Sequence, residues 1–165
     1  MKKKNTLSNH FLLLFLPLIL SNIIHMIVVK NDWLKGLKLS LSAKLFGANK
    51  TYRGFVVVPV LNSLFYGILK QNDFLSGALI GLAYMVFELP NSYIKRKLGI
   101  APGQNSSGPV TYILDKCDSS LGVTLVYCWL NGLSVMNFFI LFLTAFSTHV
   151  SFSYLLVKIR IKERF

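Results

Sequence analysis

Asp115 and Asp118 fall three residues apart in the run YILDKCDSS, in a chain with only 6 acidic residues. On a helical turn that spacing puts both carboxylates on one face. Two oxygen donors so placed, with phosphate oxygens and water completing the shell, suit Mg²⁺. The other reading open to an aspartate near a helix start is N-capping, which accounts for one of the pair better than for both. A third acid, Glu88, lies in the last turns of an apolar stretch, where an ionised side chain is costly and marks a functional site. It counts with the two aspartates among the candidate metal ligands. If helical spacing continues past Pro90, then Glu88, Ser92, Lys95 and Arg96 share one face at i, i+4, i+7 and i+8. Lys97, in the same basic run, reads simply as the stop of a helix at an interface.

A second group lies upstream in LFGANKTYRGF, at 45–55. Gly47 and Gly54 bracket Lys50, Thr51 and Arg53. Glycines let the backbone approach a ligand, and two cations within four positions suit an oligophosphate. A basic cluster beside a membrane helix also serves as a topology signal or a contact for anionic headgroups, and that reading stays open for this segment alone.

These residues must be positioned by elements that live in a bilayer. The chain of 165 residues is 53% hydrophobic and 15% charged, yet carries 18 Lys and Arg against 6 Asp and Glu, a net charge of +12. Its mean hydropathy is +0.55. Soluble nucleic-acid binders reach such a charge with more ionisable residues and less apolar mass, and 13 Phe with 7 Tyr exclude a disordered basic tail. What fits is an all-α integral membrane protein, a single polytopic domain. Five apolar stretches, at about 11–29, 55–69, 74–93, 119–134 and 136–157, predict about five transmembrane helices. Asn131-Gly132 marks a tight turn between the last two. Cys117 and Cys128 form no metal-spaced pair and no disulfide framework. Lys2-Lys3-Lys4 before the first stretch resembles the opening of a signal peptide. The length of the apolar run and the lack of a small-residue cleavage site favour a retained helix.

Charge then orients the chain. Lys30, Lys35, Lys38, Lys44, Lys50, Arg53, Lys95, Arg96, Lys97, Lys116, Lys158, Arg160, Lys162 and Arg164 follow the odd-numbered stretches, fourteen in all. Lys2, Lys3, Lys4 and Lys70 lie on the other side. The positive-inside rule puts the N-terminus outside a cell membrane and the C-terminus in the cytoplasm. Two long cytoplasmic loops, 30–54 and 94–118, then carry the candidate residues, and loops of that length are commonly functional.

With those residues in place, a resemblance becomes visible. GANKTYRGF, SYIKRKLGIAPG and DKCDS, in that order between hydrophobic spans, resemble the CDP-archaeol synthase family within the wider set of membrane CTP:phosphatidate cytidylyltransferases. The motifs cover about 45–119, and the five-span layout extends the likeness over most of the chain. His149 with Ser153 is similar to a His-and-Asn pair near that family's C-terminus; as a plain polar residue His149 equally suits helix packing. The resemblance implies transfer of CMP from CTP to a lipid phosphate, giving a CDP-activated lipid and pyrophosphate. It implies Mg²⁺ on Asp115 and Asp118, with Lys50, Arg53, Lys95 and Arg96 neutralising the triphosphate and the lipid phosphate. Thr51, Ser92 and membrane lipids complete the expected contacts, nucleic acid is not among the partners, and a homodimer is an open option. The chain departs from the family pattern at Phe87-Glu88, where the family has Gly-Asp, and at Pro90-Asn91-Ser92, where Asn91 lacks a lysine's cation. DKCDS is closer to the DRxDS of the wider set than to the archaeal DQxDF.

Two other function classes compete. A membrane-embedded binding subunit of a transporter accounts for short helices with intramembrane Asn62, Asn137 and His149. A headgroup-binding relative without catalysis accounts for the basic loops. The transporter reading does not explain Asp115 and Asp118 beside two Lys/Arg/Gly segments, and that acidic pair is the feature that discriminates among the readings.

Overall fold

A computed structural model describes residues 7–102 and 109–160, with the side chains of 109–116 and 153 outside that description. Five helices follow in order: α1 Leu7–Lys30, α2 Tyr52–Leu69, α3 Phe74–Lys97, α4 Pro109–Asn131 and α5 Val135–Lys158. Between α1 and α2 a 3₁₀ turn, Lys35–Leu37, precedes an antiparallel bridge of Ser40 with Thr51. Among the described residues four helices, α1, α2, α3 and α5, are long and apolar enough to cross a membrane. The protein is an all-helical integral membrane protein.

Each helix packs on the next in the chain: α1 on α2, α2 on α3, α3 on α4 and α4 on α5. Short connections explain that order for α2 with α3 and for α4 with α5. The α2–α3 turn needs only 70–73, with Gln71 and Asn72 at positive φ, and Asp73 caps α3 by accepting from the Ser76 N–H at 3.2 Å. Ser134 caps α5 in the same way, just after Gly132 at φ +59°. Among the described residues the α2–α3 contact is the most extensive, and small residues let its backbones approach. A Cβ built on Gly77 would stand 2.8 Å from the Asn62 carbonyl oxygen and 2.8 Å from Ser63 Cα. Asn62, fully buried, donates from Nδ2 to the Gly77 carbonyl at 2.6 Å across the same seam.

Pro17, Pro59 and Pro90 all lie inside helices. Membrane helices tolerate proline where neighbours and local adjustments compensate the freed backbone groups; separately, the Ser21 hydroxyl bonds back along α1, donating to the Pro17 carbonyl at 2.6 Å. The continuity of α3 through Pro90 to Lys97 is the condition on which the Glu88 stripe depends.

The structure differs from the sequence expectation around α4. That helix is already formed at Pro109, where the description resumes, ten residues before the apolar stretch. Asp115 and Asp118 therefore sit six and nine residues beyond Pro109, well inside the helix. N-capping is thereby excluded as the reason for either.

The core runs along Leu13, Leu14, Tyr66, Ile80, Val123, Tyr127, Cys128 and Leu141, drawn from all five helices. At the end holding the α2–α3 and α4–α5 turns, polar groups join the helices. His10 Nδ1 and the Tyr127 hydroxyl are 2.8 Å apart. Lys70 donates to Asn131 Oδ1 at 2.9 Å and to the Tyr66 hydroxyl at 3.3 Å, and pairs with Asp73 at 3.1 Å. The opposite end carries both long connections.

Candidate functional site

Three helices and the first loop converge at that opposite end. The loop folds back on itself: the Leu41 N–H donates to the Lys50 carbonyl at 2.8 Å, and the Tyr52 N–H donates to the Leu39 carbonyl at 3.0 Å. This pairing sets Lys50 directly before α2 and aims its ammonium at Glu88 on α3, with which it forms an ion pair. Both side chains are mostly buried. An ionised carboxylate in the last turns of a membrane helix needs such a partner, since unpaired it would be strongly disfavoured. His25 on α1 and His149 on α5 also lie within electrostatic reach of Glu88.

Asp118 on α4 stands beside this pair, close enough for its charge and that of Glu88 to repel. Its Oδ1 accepts the Ser119 N–H at 2.6 Å, and its Oδ2 accepts from Asn91 Nδ2 at 3.1 Å. Asn91 lies three residues after Glu88, so one face of α3 serves both carboxylates. Each Asp118 oxygen keeps a lone pair after these bonds, as a metal ligand must. Among the described residues no group of three His, Cys, Asp or Glu is arranged to hold a metal. The Asp115 side chain lies outside the description.

The remaining candidates fall into two classes. Arg96 is on the same stripe, two turns beyond Glu88, and its Nε and Nη1 are buried with no hydrogen-bond partner among the described residues. Donors in that state cost free energy unless an acceptor arrives. Lys95 lies partly buried beside it and has interactions of its own. Ser92 turns its hydroxyl onto its own helix, donating to the Glu88 carbonyl at 2.8 Å. Thr51 occupies the N-cap position of α2, and its side chain makes no capping bond.

Arg53 is engaged by the loop. It is 4% exposed, and its Nη1 donates to Asp32 Oδ1 at 3.2 Å and to the Trp33 carbonyl at 2.9 Å. Lys38 pairs with the same carboxylate at 3.0 Å. The hydrogen bond from Lys38, joined by that from Arg53, holds the Asp32 carboxyl below the usual range. Arg53 thus ties the start of the loop to the start of α2, beneath the hairpin that presents Lys50.

Two residues of this end escaped the sequence reading as site members. Asn91 was visible only as a departure from a family pattern, although its place at i+3 from Glu88 was a usable signal. His25 packs its imidazole against Gly54, where an added Cβ would stand 3.3 Å from Nε2. A titratable residue inside an apolar helix was the signal there. His149, named on resemblance, stacks on Tyr84 with ring centroids 6.1 Å apart. Both rings line a cavity between α1, α3, α4 and α5 whose walls include Phe15, Ile19, Val123 and Phe152. The Ser153 side chain lies outside the description.

Comparison with known proteins gives one informative similarity. The chain is 38% identical over 94 residues to the CDP-archaeol synthase of Staphylothermus marinus, an alignment covering 52% of this chain and 49% of that protein. The chain thus spans about half the length of the curated relative it matches. No family model and no solved structure matches it.

Proposed function

We propose that this membrane protein is a cytidylyltransferase that moves CMP from CTP to a lipid phosphate, as the similarity to a CDP-archaeol synthase suggests. The observation that carries the reading is the convergence of two carboxylates, a lysine and an unsatisfied arginine at one end of the bundle. In this reaction an oxygen of the lipid phosphate attacks the α-phosphorus of CTP. The bond to the bridging oxygen breaks, and pyrophosphate carries the electron pair away. The lipid phosphate is itself the nucleophile, so no side-chain nucleophile is required.

What the protein must supply is orientation and charge neutralisation. Arg96, with two buried N–H groups that have no acceptor among the described residues, and Lys95 beside it are suited to phosphate oxygens. Lys50 holds Glu88 when no polyanion is near and is the cation placed to follow an incoming phosphate. Asp118, oriented by Asn91 and the Ser119 N–H, would hold Mg²⁺ with Asp115 and Glu88. Bound there, Mg²⁺ would supply Lewis-acid neutralisation of phosphate oxygens. The cavity lined by Tyr84 and His149 opens among apolar side chains, where lipid tails lie while the headgroup reaches the carboxylates. In this reading the site end faces the cytoplasm, where CTP is available.

The test is incorporation of labelled CTP into lipid by reconstituted protein, with an isoprenoid-ether phosphate and a diacyl phosphatidate offered in parallel. Asp118→Asn is expected to abolish Mg²⁺-dependent incorporation while the protein still inserts and folds. Full activity in that variant, or no activity of the parent with either acceptor, counts decisively against the proposal.

A further inference from the structure

The loop between α1 and α2 exposes apolar surface that no helix covers. Trp33 is 57% exposed, Leu34 53%, Leu39 69% and Leu45 44%. Interleaved with them are the exposed lysines Lys35, Lys38 and Lys44. A loop left in water would not keep a tryptophan and three leucines uncovered, because the exposed apolar area is costly.

The loop's position answers what covers it. Helix α1 has 24 residues, so it is about 36 Å long and exceeds a hydrocarbon core of roughly 30 Å. Its end at Lys30 therefore lies in the headgroup region. Trp33 is three residues further on, at most about 10 Å away along an extended chain. The backbone also turns sharply there: Asp32 and Leu34 both take positive φ, at 51° and 55°. Arg53 holds that turn through Asp32 and the Trp33 carbonyl, leaving the Trp33 and Leu34 side chains outside. The exposed surface is continuous in sequence with exposed Val29 at the end of α1 and with Tyr52 and Val56 at the start of α2. Those flanks belong to helices that cross the membrane.

Charge selects the kind of lipid. Lys38 is paired with Asp32, and Lys50 with Glu88. Lys35 and Lys44 remain exposed, next in sequence to exposed Leu34 and Leu45 with Leu39 between them. We infer that the 33–45 segment is an interfacial anchor that docks Trp33, Leu34, Leu39 and Leu45 into an anionic lipid leaflet, with Lys35 and Lys44 on its headgroups. Amphipathic aromatic rings favour that depth, and cations beside them add attraction to acidic lipids. The docked segment leads directly into the hairpin that carries Lys50. This inference rests on the membrane-spanning fold alone and goes beyond the proposed reaction.

Fluorescence tests it without an activity readout. The chain has 2 tryptophans, so Trp129→Phe leaves Trp33 as the sole emitter. The full chain is reconstituted in phosphatidylcholine vesicles with and without phosphatidylglycerol. Quenching is measured with acyl-brominated lipid and with the neutral aqueous quencher acrylamide. Brominated lipid is expected to quench Trp33 and acrylamide to leave it largely unaffected. The shift toward lipid quenching should grow with phosphatidylglycerol. Lys35→Gln with Lys44→Gln should abolish that growth, each lysine changing the docked-to-undocked ratio roughly fivefold. Added salt should reproduce the loss in the parent, which guards against a folding defect in the variant. Acrylamide quenching without lipid quenching, as an acidic protein partner or a water-facing loop requires, overturns the inference. Lipid quenching insensitive to phosphatidylglycerol overturns its anionic part.

Discussion

Replacing Lys50 by Met is the most informative perturbation of the site, because it removes one half of an ion pair and leaves the other in place. The Lys50 and Glu88 side chains retain 17% and 20% exposure. Removing one partner of a fully buried pair costs about 3–5 kcal/mol, mostly as the desolvation of the charge left behind. Residual exposure and the nearby His25 and His149 soften that penalty, so K50M should lose about 3 kcal/mol. Glu88→Gln should cost less, about 1 kcal/mol, because a lone lysine can extend its long stem toward headgroups or water. The double variant contains neither charge. Its loss should fall short of the sum of the singles by about 2 kcal/mol, the coupling expected for residues in direct contact. Reversible unfolding in mixed micelles, followed by circular dichroism, gives all four corners of the cycle. A K50M protein as stable as the parent, or a strictly additive double variant, would refute the claim that Lys50 exists to hold Glu88 ionised.

Other outcomes follow from single contacts. Gly77→Ala should destabilise by about 1–3 kcal/mol in the same assay, since its Cβ meets the α2 backbone, which cannot swing aside. Gly36→Ala, with nothing within 4 Å of the added carbon, is the matched neutral control. Tyr127→Phe should cost about 1–3 kcal/mol by leaving buried His10 without its hydroxyl partner. Because the Asp32 carboxyl is held below its ordinary value of about 4, the loop latch is intact above that pH and is lost as pH falls through the depressed value. Emission from Trp33 in the Trp129→Phe protein should report that acid transition, and adding Asp32→Asn should shift the emission already at neutral pH.

How much of this was legible in the sequence depended on the range of the interaction. The Glu88 stripe was readable because i, i+4 and i+8 are properties of one helix, and it required only that α3 pass through Pro90. The helical turns of α4 that precede 119 were not, because hydropathy registers the apolar stretch from 119 onward and is blind to the more polar turns that follow Pro109. The partnership of Asn91 with Asp118 joins two helices, and the hairpin that delivers Lys50 joins residues on either side of a loop. Neither pairing leaves a periodic trace in the chain. Arg53 shows the same limit differently: its spacing from Lys50 suggested a shared ligand, whereas its guanidinium is turned toward Asp32 and the Trp33 carbonyl.

The polar ties at the far end, His10 with Tyr127 and Lys70 with Tyr66, Asn131 and Asp73, have a mechanical consequence. They act as a fulcrum. A helix of 24 residues anchored there is a lever about 36 Å long. Glu88 lies about 21 Å along it, so a tilt of about 8° moves that carboxylate by about 3 Å, the length of one hydrogen bond. Rocking of α3 too slight to disturb the core is therefore enough to part Lys50 from Glu88.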